Sequence, residues 1–141
     1  MSASEPMPPL AHAAVPTQKL DPLARQMWDE TVPLLERMRV LTEADLHILE
    51  QTCEAYAEYW QAKKRLRRRG LTYESPTVTG GVIIRPRPEV AIASDAWRRL
   101  RQGLMELGMT PASRTRVAAA PSGKSKDADA QEREAYFGVG A

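Results

Sequence analysis

The sequence predicts a mainly α fold, a long antiparallel helical hairpin interrupted by a short β-hairpin or loop. Three observations predict it. Apolar residues recur at alternating spacings of three and four in two long stretches, as one face of a helix requires. The chain has a single Phe and many Ala and Leu with few β-branched runs, which favours helices over a sheet. At 141 residues it has room for one domain, with ends too poor in apolar residues to add a second core.

Residues 1–19 carry Pro6, Pro8, Pro9 and Pro16 among Ala and Ser. Such a composition buries too little surface to offset ordering entropy, so a flexible arm is expected. Asp21-Pro22 then reads as an N-cap with proline at the first helical position. Leu23, Met27, Leu34, Leu35 and Met38 follow near helical spacing, giving a first helix from about Pro22 to Met38 that Pro33 should kink or split.

Thr42-Glu43-Ala44-Asp45 has the form of a capping box with Asp in place of Glu, and nothing stops the helix it starts before Gly70, where a left-handed cap belongs. Its seam is Leu46, Leu49, Cys53, Tyr56 and Trp60. Between Leu71 and Ile84, Ser75-Pro76 and Gly80-Gly81 punctuate Tyr73, Val78, Val82, Ile83 and Ile84, as in a β-hairpin or ordered loop. Pro88 opens a third helix with the seam Val90, Ala93, Trp97, Leu100, Leu104 and Leu107, ending at Gly108. The two long helices should pack antiparallel, coiled-coil fashion, around Trp60 and Trp97. Thr110-Pro111 caps a short fourth helix to about Ala118. Residues 20–118 thus form a helical core domain, and 119–141 a disordered tail ending in the cluster Tyr136, Phe137 and Val139.

The net charge of +2 conceals a division along the chain. Leu20 to Trp60 holds nine acidic residues against Arg25, Arg37 and Arg39, whereas Gln61 to Arg101 holds eleven basic residues against Glu74, Glu89 and Asp95. A basic half of this kind is the footprint of a polyanionic partner. If identical chains stood side by side, the acidic helix of one could meet the basic residues of the next, and such heterologous contacts close into rings.

Catalytic chemistry finds little support. His47 and Cys53 lie on different helical faces, His12 sits in the arm, and no Gly-rich phosphate cradle exists, so no enzyme activity, metal or other cofactor is expected. Glu43, Glu50, Glu54 and Glu58 read as a solvated helix face. Cys53 is the only cysteine, which suits a reducing compartment. The N-terminus lacks a basic start and an apolar core, and no eighteen-residue apolar run follows, so neither export nor membrane insertion is expected.

One feature rises above background: Lys63-Lys64-Arg65-Leu66-Arg67-Arg68-Arg69, with Arg85, Arg87, Arg98, Arg99 and Arg101 beyond it. A helix C-terminus attracts one or two cations through its dipole, but not this many. Antiparallel packing brings Arg85 and Arg87 to the same end as the run. Arginine forks match phosphate oxygens, so this end should hold a nucleic-acid backbone without base specificity. Lys63, Lys64, Arg67, Arg68, Arg69, Arg85 and Arg87 are the expected DNA contacts.

These residues carry a resemblance over about residues 16 to 118. Leu41-Thr42-Glu43-Ala44-Asp45 after a helix around Trp28, Cys53 through Trp60 running into Gly70-Leu71-Thr72-Tyr73, and Pro88 through Asp95-Ala96-Trp97 with Leu107-Gly108-Met109-Thr110-Pro111-Ala112-Ser113-Arg114 together resemble the small subunits of tailed-bacteriophage terminases. Arg87 departs from the pattern, since relatives often carry Asn or His before that proline. The resemblance implies a non-catalytic ring of identical helical subunits in the host cell cytoplasm. That ring binds double-stranded phage DNA and presents it to the terminase large subunit, which holds the ATPase and nuclease. It leaves Leu49, Tyr56, Trp60, Trp97, Leu100 and Leu104 as packing residues within or between subunits, and Tyr136 and Phe137 as a large-subunit contact. The rival reading is a transcription regulator whose short helices before Ala44 form a helix-turn-helix, although the acidic stretch Glu43 to Glu58 suits a reading helix poorly.

Overall fold

One 24-residue helix in the middle of the chain receives the other two long helices. The computed structural model describes residues 6–119. In chain order it has α1 (Pro22–Arg37), a 3-10 turn at Glu43–Asp45, α2 (Leu46–Arg69), β1 (Thr72–Pro76), β2 (Val82–Pro86), α3 (Pro88–Glu106) and α4 (Pro111–Ala119). The architecture is mainly helical with one two-stranded antiparallel sheet, and α2 packs against both α1 and α3.

α1 starts where Asp21 Oδ1 accepts the Leu23 N–H at 3.0 Å. It runs through Pro33 as one helix rather than splitting. Pro33 and Asp29, whose carbonyl the ring leaves without its helical donor, both lie on the exposed side, where water can satisfy that carbonyl. The opposite face buries Ala24, Trp28, Val32 and Leu35 against Leu49, Cys53 and Ala57 of α2. Arg39, in the left-handed region at φ +55°, turns the chain back, and Val40 N–H donates to Leu35 O at 3.3 Å. Asp45 then accepts from both Thr42 N–H (3.1 Å) and Thr42 Oγ1–H (2.7 Å), fixing the entry to α2.

The proline-rich segment before α1, expected as a flexible arm, lies along these helices from residue 6 onward. Ala11 N–H donates to Leu41 O (3.0 Å), Glu43 N–H donates to Pro9 O (3.0 Å), and Ala11 is buried in the α1–α2 core. Thr17 donates through its backbone and hydroxyl to the Glu50 carboxylate, which is 2% exposed. Asp21 N–H donates to Glu54 Oε1 at 3.4 Å. The carboxylates of α2 thus hold this strap and the start of α1, so Glu50 is not part of a solvated face.

A second buried line on α2, formed by Thr52, Ala55, Ala62 and Leu66, faces α3. On α3 the buried residues are Ala93, Ala96, Leu100 and Gly103, with Leu107 just beyond. This seam is turned one residue from the expected one: Ala96 and Gly103 take the inner places assigned to Trp97 and Leu104. The reason is proximity. A Cβ built on Gly103 would meet Thr52 Oγ1 at 2.0 Å and Thr52 Cβ at 2.9 Å, so the helices touch where neither side chain can be larger. Trp97 (50% exposed) and Trp60 (38% exposed) consequently lie at the edge of the interface they were expected to fill.

Gly70 ends α2 at φ +81°, ψ 172°, a conformation open to glycine rather than the left-handed cap expected there. The hairpin follows in the register Thr72↔Pro86, Tyr73↔Arg85 and Glu74↔Ile84. Gly80 (φ +85°) and the Thr77 hydroxyl, which accepts the Gly81 N–H at 2.8 Å, close its turn. Gly108 (φ +72°) ends α3, and Met109 N–H donates to Leu104 O at 2.8 Å. Ser113, buried at the third position of α4, accepts the Thr110 N–H through its hydroxyl at 3.1 Å.

Gly103→Ala should lower the unfolding free energy by about 1–3 kcal/mol, read from urea melts, because the added methyl has no room. Thr52→Ala in the same chain should recover part of that loss. An unchanged midpoint in the single variant would contradict the close crossing.

Candidate nucleic-acid interface

The last two turns of α2 carry six cations, and the backbone after them decides where the remaining two go. Lys64, Arg65, Arg67, Arg68 and Arg69 are exposed and Lys63 is half-buried. The hairpin leaves at Gly70 and comes back beside its own origin: Arg87 N–H donates to Leu71 O at 2.8 Å, and Arg85 lies opposite Tyr73. All seven residues expected to meet a phosphate backbone are therefore gathered around the C-terminal end of α2 and the base of the hairpin.

Each arginine there has a distinct setting. The Arg67 guanidinium lies over the Trp60 ring at 5.7 Å, and the Arg87 guanidinium over Tyr73 at 5.9 Å. Stacking of this kind orients a flat donor array before any ligand arrives. Arg87 Nε is buried with no hydrogen-bond partner among the described residues, an unmet donor at the basic end. Arg65, Arg68 and Arg69 border a cleft of about 390 Å³ whose fourth side is Glu89 in the first turn of α3. Arg65 was missing from the expected contacts, because helical spacing alone does not reveal that α3 begins beside it.

Arg99 has a different role. It bridges Asp95 (2.9 Å) on its own helix and Glu58 on α2, and the Glu58 hydrogen bond raises it further above its ordinary value. Glu58 is thus engaged within the chain, as Glu50 and Glu54 are. A neighbouring subunit's cations, expected to meet this acidic helix, would find three of its carboxylates already occupied.

The aromatic residues form a band at the edge of the α2–α3 interface, with Tyr56 and Tyr59 half-buried and Trp60 and Trp97 exposed. Tyr59 lies 5.3 Å from Trp60 and 5.6 Å from Trp97 between ring centroids, and Tyr56 packs edge-on to Trp60 at 6.3 Å. Leu49 and Leu100 are buried, whereas Tyr56 and Leu104 are half-buried. Beside the band, Tyr59, Leu66, Leu71, Val90 and Trp97 line an open groove of about 290 Å³, with Lys63 at its rim. Tyr136 and Phe137 lie outside the described residues.

Among the described residues, no group of three or more His, Cys, Asp or Glu could hold a metal ion, and no helix is long and apolar enough to cross a membrane. Cys53 is buried, and burial together with the neighbouring Glu54 and Glu50 carboxylates pushes its thiol up to about 12. Residues 24–124 match the family model of the phage terminase small subunit. No curated protein and no solved structure matches the chain.

The folded chain should resist maleimide labelling at pH 8 and label fully in urea, because the nucleophile is the thiolate and Cys53 is held as the thiol. Its folded-state value lies above its ordinary value of 9.0, so the stability it contributes is complete below that pH and lost as pH rises toward about 12. Rapid labelling of the native chain would contradict this placement.

Proposed function

Because the chain belongs to the phage terminase small-subunit family, we propose that it is the non-catalytic DNA-recognition and adaptor component of a genome-packaging motor. In this reading copies of the chain form a ring in the host cytoplasm, bind double-stranded viral DNA and present it to the large terminase subunit. The observation that supports it best is the convergence of Lys63, Lys64, Arg67, Arg68, Arg69, Arg85 and Arg87 on one end of the molecule through the Arg87–Leu71 backbone bond.

Such an end suits a duplex backbone. Phosphates recur every few ångströms along DNA, and cations spread over two helical turns and a hairpin base can reach several at once. Two of these arginines are stacked on aromatic rings, so part of their ordering cost is met before binding. The carboxylates of α2 are held at its other end by the strap and α1, and in its middle by Arg99, which leaves Glu89 as the acid bordering the Arg65, Arg68 and Arg69 cleft. Leu49 and Leu100 serve packing within the subunit, while Tyr56, Trp60, Trp97 and Leu104 remain available between subunits. Tyr136 and Phe137 are the proposed contact with the large subunit.

The helix-turn-helix alternative fits less well. It needs short helices before Ala44, and that stretch is one 16-residue helix with Trp28 and Leu35 fully packed against α2.

DNA affinity measured from low to moderate salt should fall with a logarithmic slope on the order of −5, as expected for six or more neutralised phosphates. Replacing Arg67, Arg68 and Arg69 together by Gln should weaken binding alike on all sequences and flatten the slope by about 3. An unaltered slope would place the contact elsewhere. Native mass spectrometry at moderate salt should show one closed multi-subunit species, and a monomer with and without DNA would argue against the ring.

A further inference from the structure

The groove beside Trp97 combines two features that the packing of the chain leaves unused. Its floor and walls are apolar, with Leu71 at 63%, Trp97 at 50% and Val90 at 36% exposure. One cation, Lys63, lines it, and Arg67, whose guanidinium lies over Trp60, follows one turn further along α2. A matching occupant would pair large apolar side chains with an adjoining run of carboxylates.

The sequence contains such a segment. Asp127, Asp129, Glu132 and Glu134, offset only by Arg133, lead directly into Tyr136, Phe137 and Val139. Phe137 is the only phenylalanine in the chain. The order of features matches as well as the composition: carboxylates precede the aromatics by a few residues, as the cations lie within one or two helical turns of the groove.

Reach is sufficient. The seventeen residues from 120 to 136 span up to about 56 Å when extended, at about 3.3 Å each. Returning from the end of α3 to Ala93 takes about 20 Å, and α4 adds about 13 Å in the least favourable direction, at 1.5 Å per helical residue.

We infer that the segment Asp127–Val139 docks in cis on this groove, seating Tyr136 and Phe137 against Leu66, Val90 and Trp97 while its carboxylates cover the adjoining cations. The segment is then an internal competitor for the phosphate-binding end, a consequence that rests on the DNA-binding reading above. It also becomes a shared resource: a partner that captures Tyr136 and Phe137 uncovers the basic end. A tail that occupies its groove nine-tenths of the time lowers apparent DNA affinity about tenfold.

The test uses the full chain with Ser94→Cys, at the groove, and Gly138→Cys. Cys53, buried and held as the thiol, stays out of the reaction. Mild oxidation should form a disulfide within one chain, seen by mass and mobility. Yield should drop sharply when Asp127, Asp129, Glu132 and Glu134 are replaced by their amides. A control pair, Thr79→Cys at the exposed hairpin turn with Gly138→Cys, should react poorly. Equal yields in the two pairs, or disulfides formed only between chains, would overturn docking in cis. In parallel, Tyr136→Ala with Phe137→Ala should raise DNA affinity about tenfold. A chain that forms the disulfide but binds no DNA keeps the docking and sinks the DNA reading, whereas DNA binding with a disulfide no better than the control sinks the docking.

Discussion

The contact between Thr52 and Gly103 fixes much of what the surface presents. Two helices that touch at a glycine leave no space between them for an indole, so small residues occupy the line of closest approach and Trp60 and Trp97 are turned outward. The dispersion energy that large aromatics would have contributed is replaced by many short-range contacts among backbone, Ala96, Ala93 and Ala62, which grow as the axes draw together. The aromatics are then free for other work: Trp60 supports Arg67, and Trp97 walls the groove. One steric constraint thereby links the packing of the hairpin to the chemistry of its basic end.

The carboxylates of α2 are the second organising element. A row of acids along one helix normally repels itself and stays hydrated. Here each has a defined partner: Glu50 holds Thr17, Glu54 holds the Asp21 backbone, and Glu58 holds Arg99. The exposed Glu58–Arg99 pair adds little stability, on the order of 0–1 kcal/mol, but all three interactions engage negative charge away from Arg67, Arg68 and Arg69. The helix consequently behaves as an electrical lever, with its acidic length engaged internally and its basic end open.

Much of this was legible in the residues. Proline after Asp21 and Thr110, Gly108 after Leu107 and the Gly80-Gly81 pair mark element ends through local backbone chemistry, which depends little on tertiary context. The hairpin base could be anticipated because antiparallel strands must return Arg85 and Arg87 to the end of the preceding helix. Periodicity weighted by side-chain size misplaces the seam of α3 by one residue: Val90, Ala93, Trp97, Leu100 and Leu104 give the same 3-4 spacing as Ala93, Ala96, Leu100 and Gly103, and only the interhelical distance decides between them. The strap was missed for a related reason. Proline-rich composition argues against a core of its own, but not against a few backbone bonds to a preformed surface such as Leu41 and Glu50. Arg65 escaped notice because its cleft exists only once Glu89 is brought alongside.

The two cores divide the molecule unequally, and this bears on how the ends communicate. Trp28, Leu35, Leu49 and Cys53 form the larger cluster under α1, while Ala62, Leu66 and Ala93, with Tyr59 beside them, form a small one near the arginines. The Thr52–Gly103 crossing lies level with the larger cluster, and from it the end of α2 extends about 25 Å at 1.5 Å per residue. The basic end therefore rests on few buried side chains and on a hairpin with no buried residue, and a two-stranded hairpin is marginal alone. An occupant of the adjoining groove, whether tail or neighbouring surface, would add apolar contacts where the fold has fewest. Duplex DNA offers charge but little apolar surface, so it cannot supply the same support. On the proposed reading, competition between the two is not only for space among the cations but between an ordered, covered end and an open one held by phosphate contacts. In that balance the small core is an advantage, because a strongly stabilised end would gain little from either partner and could not distinguish them.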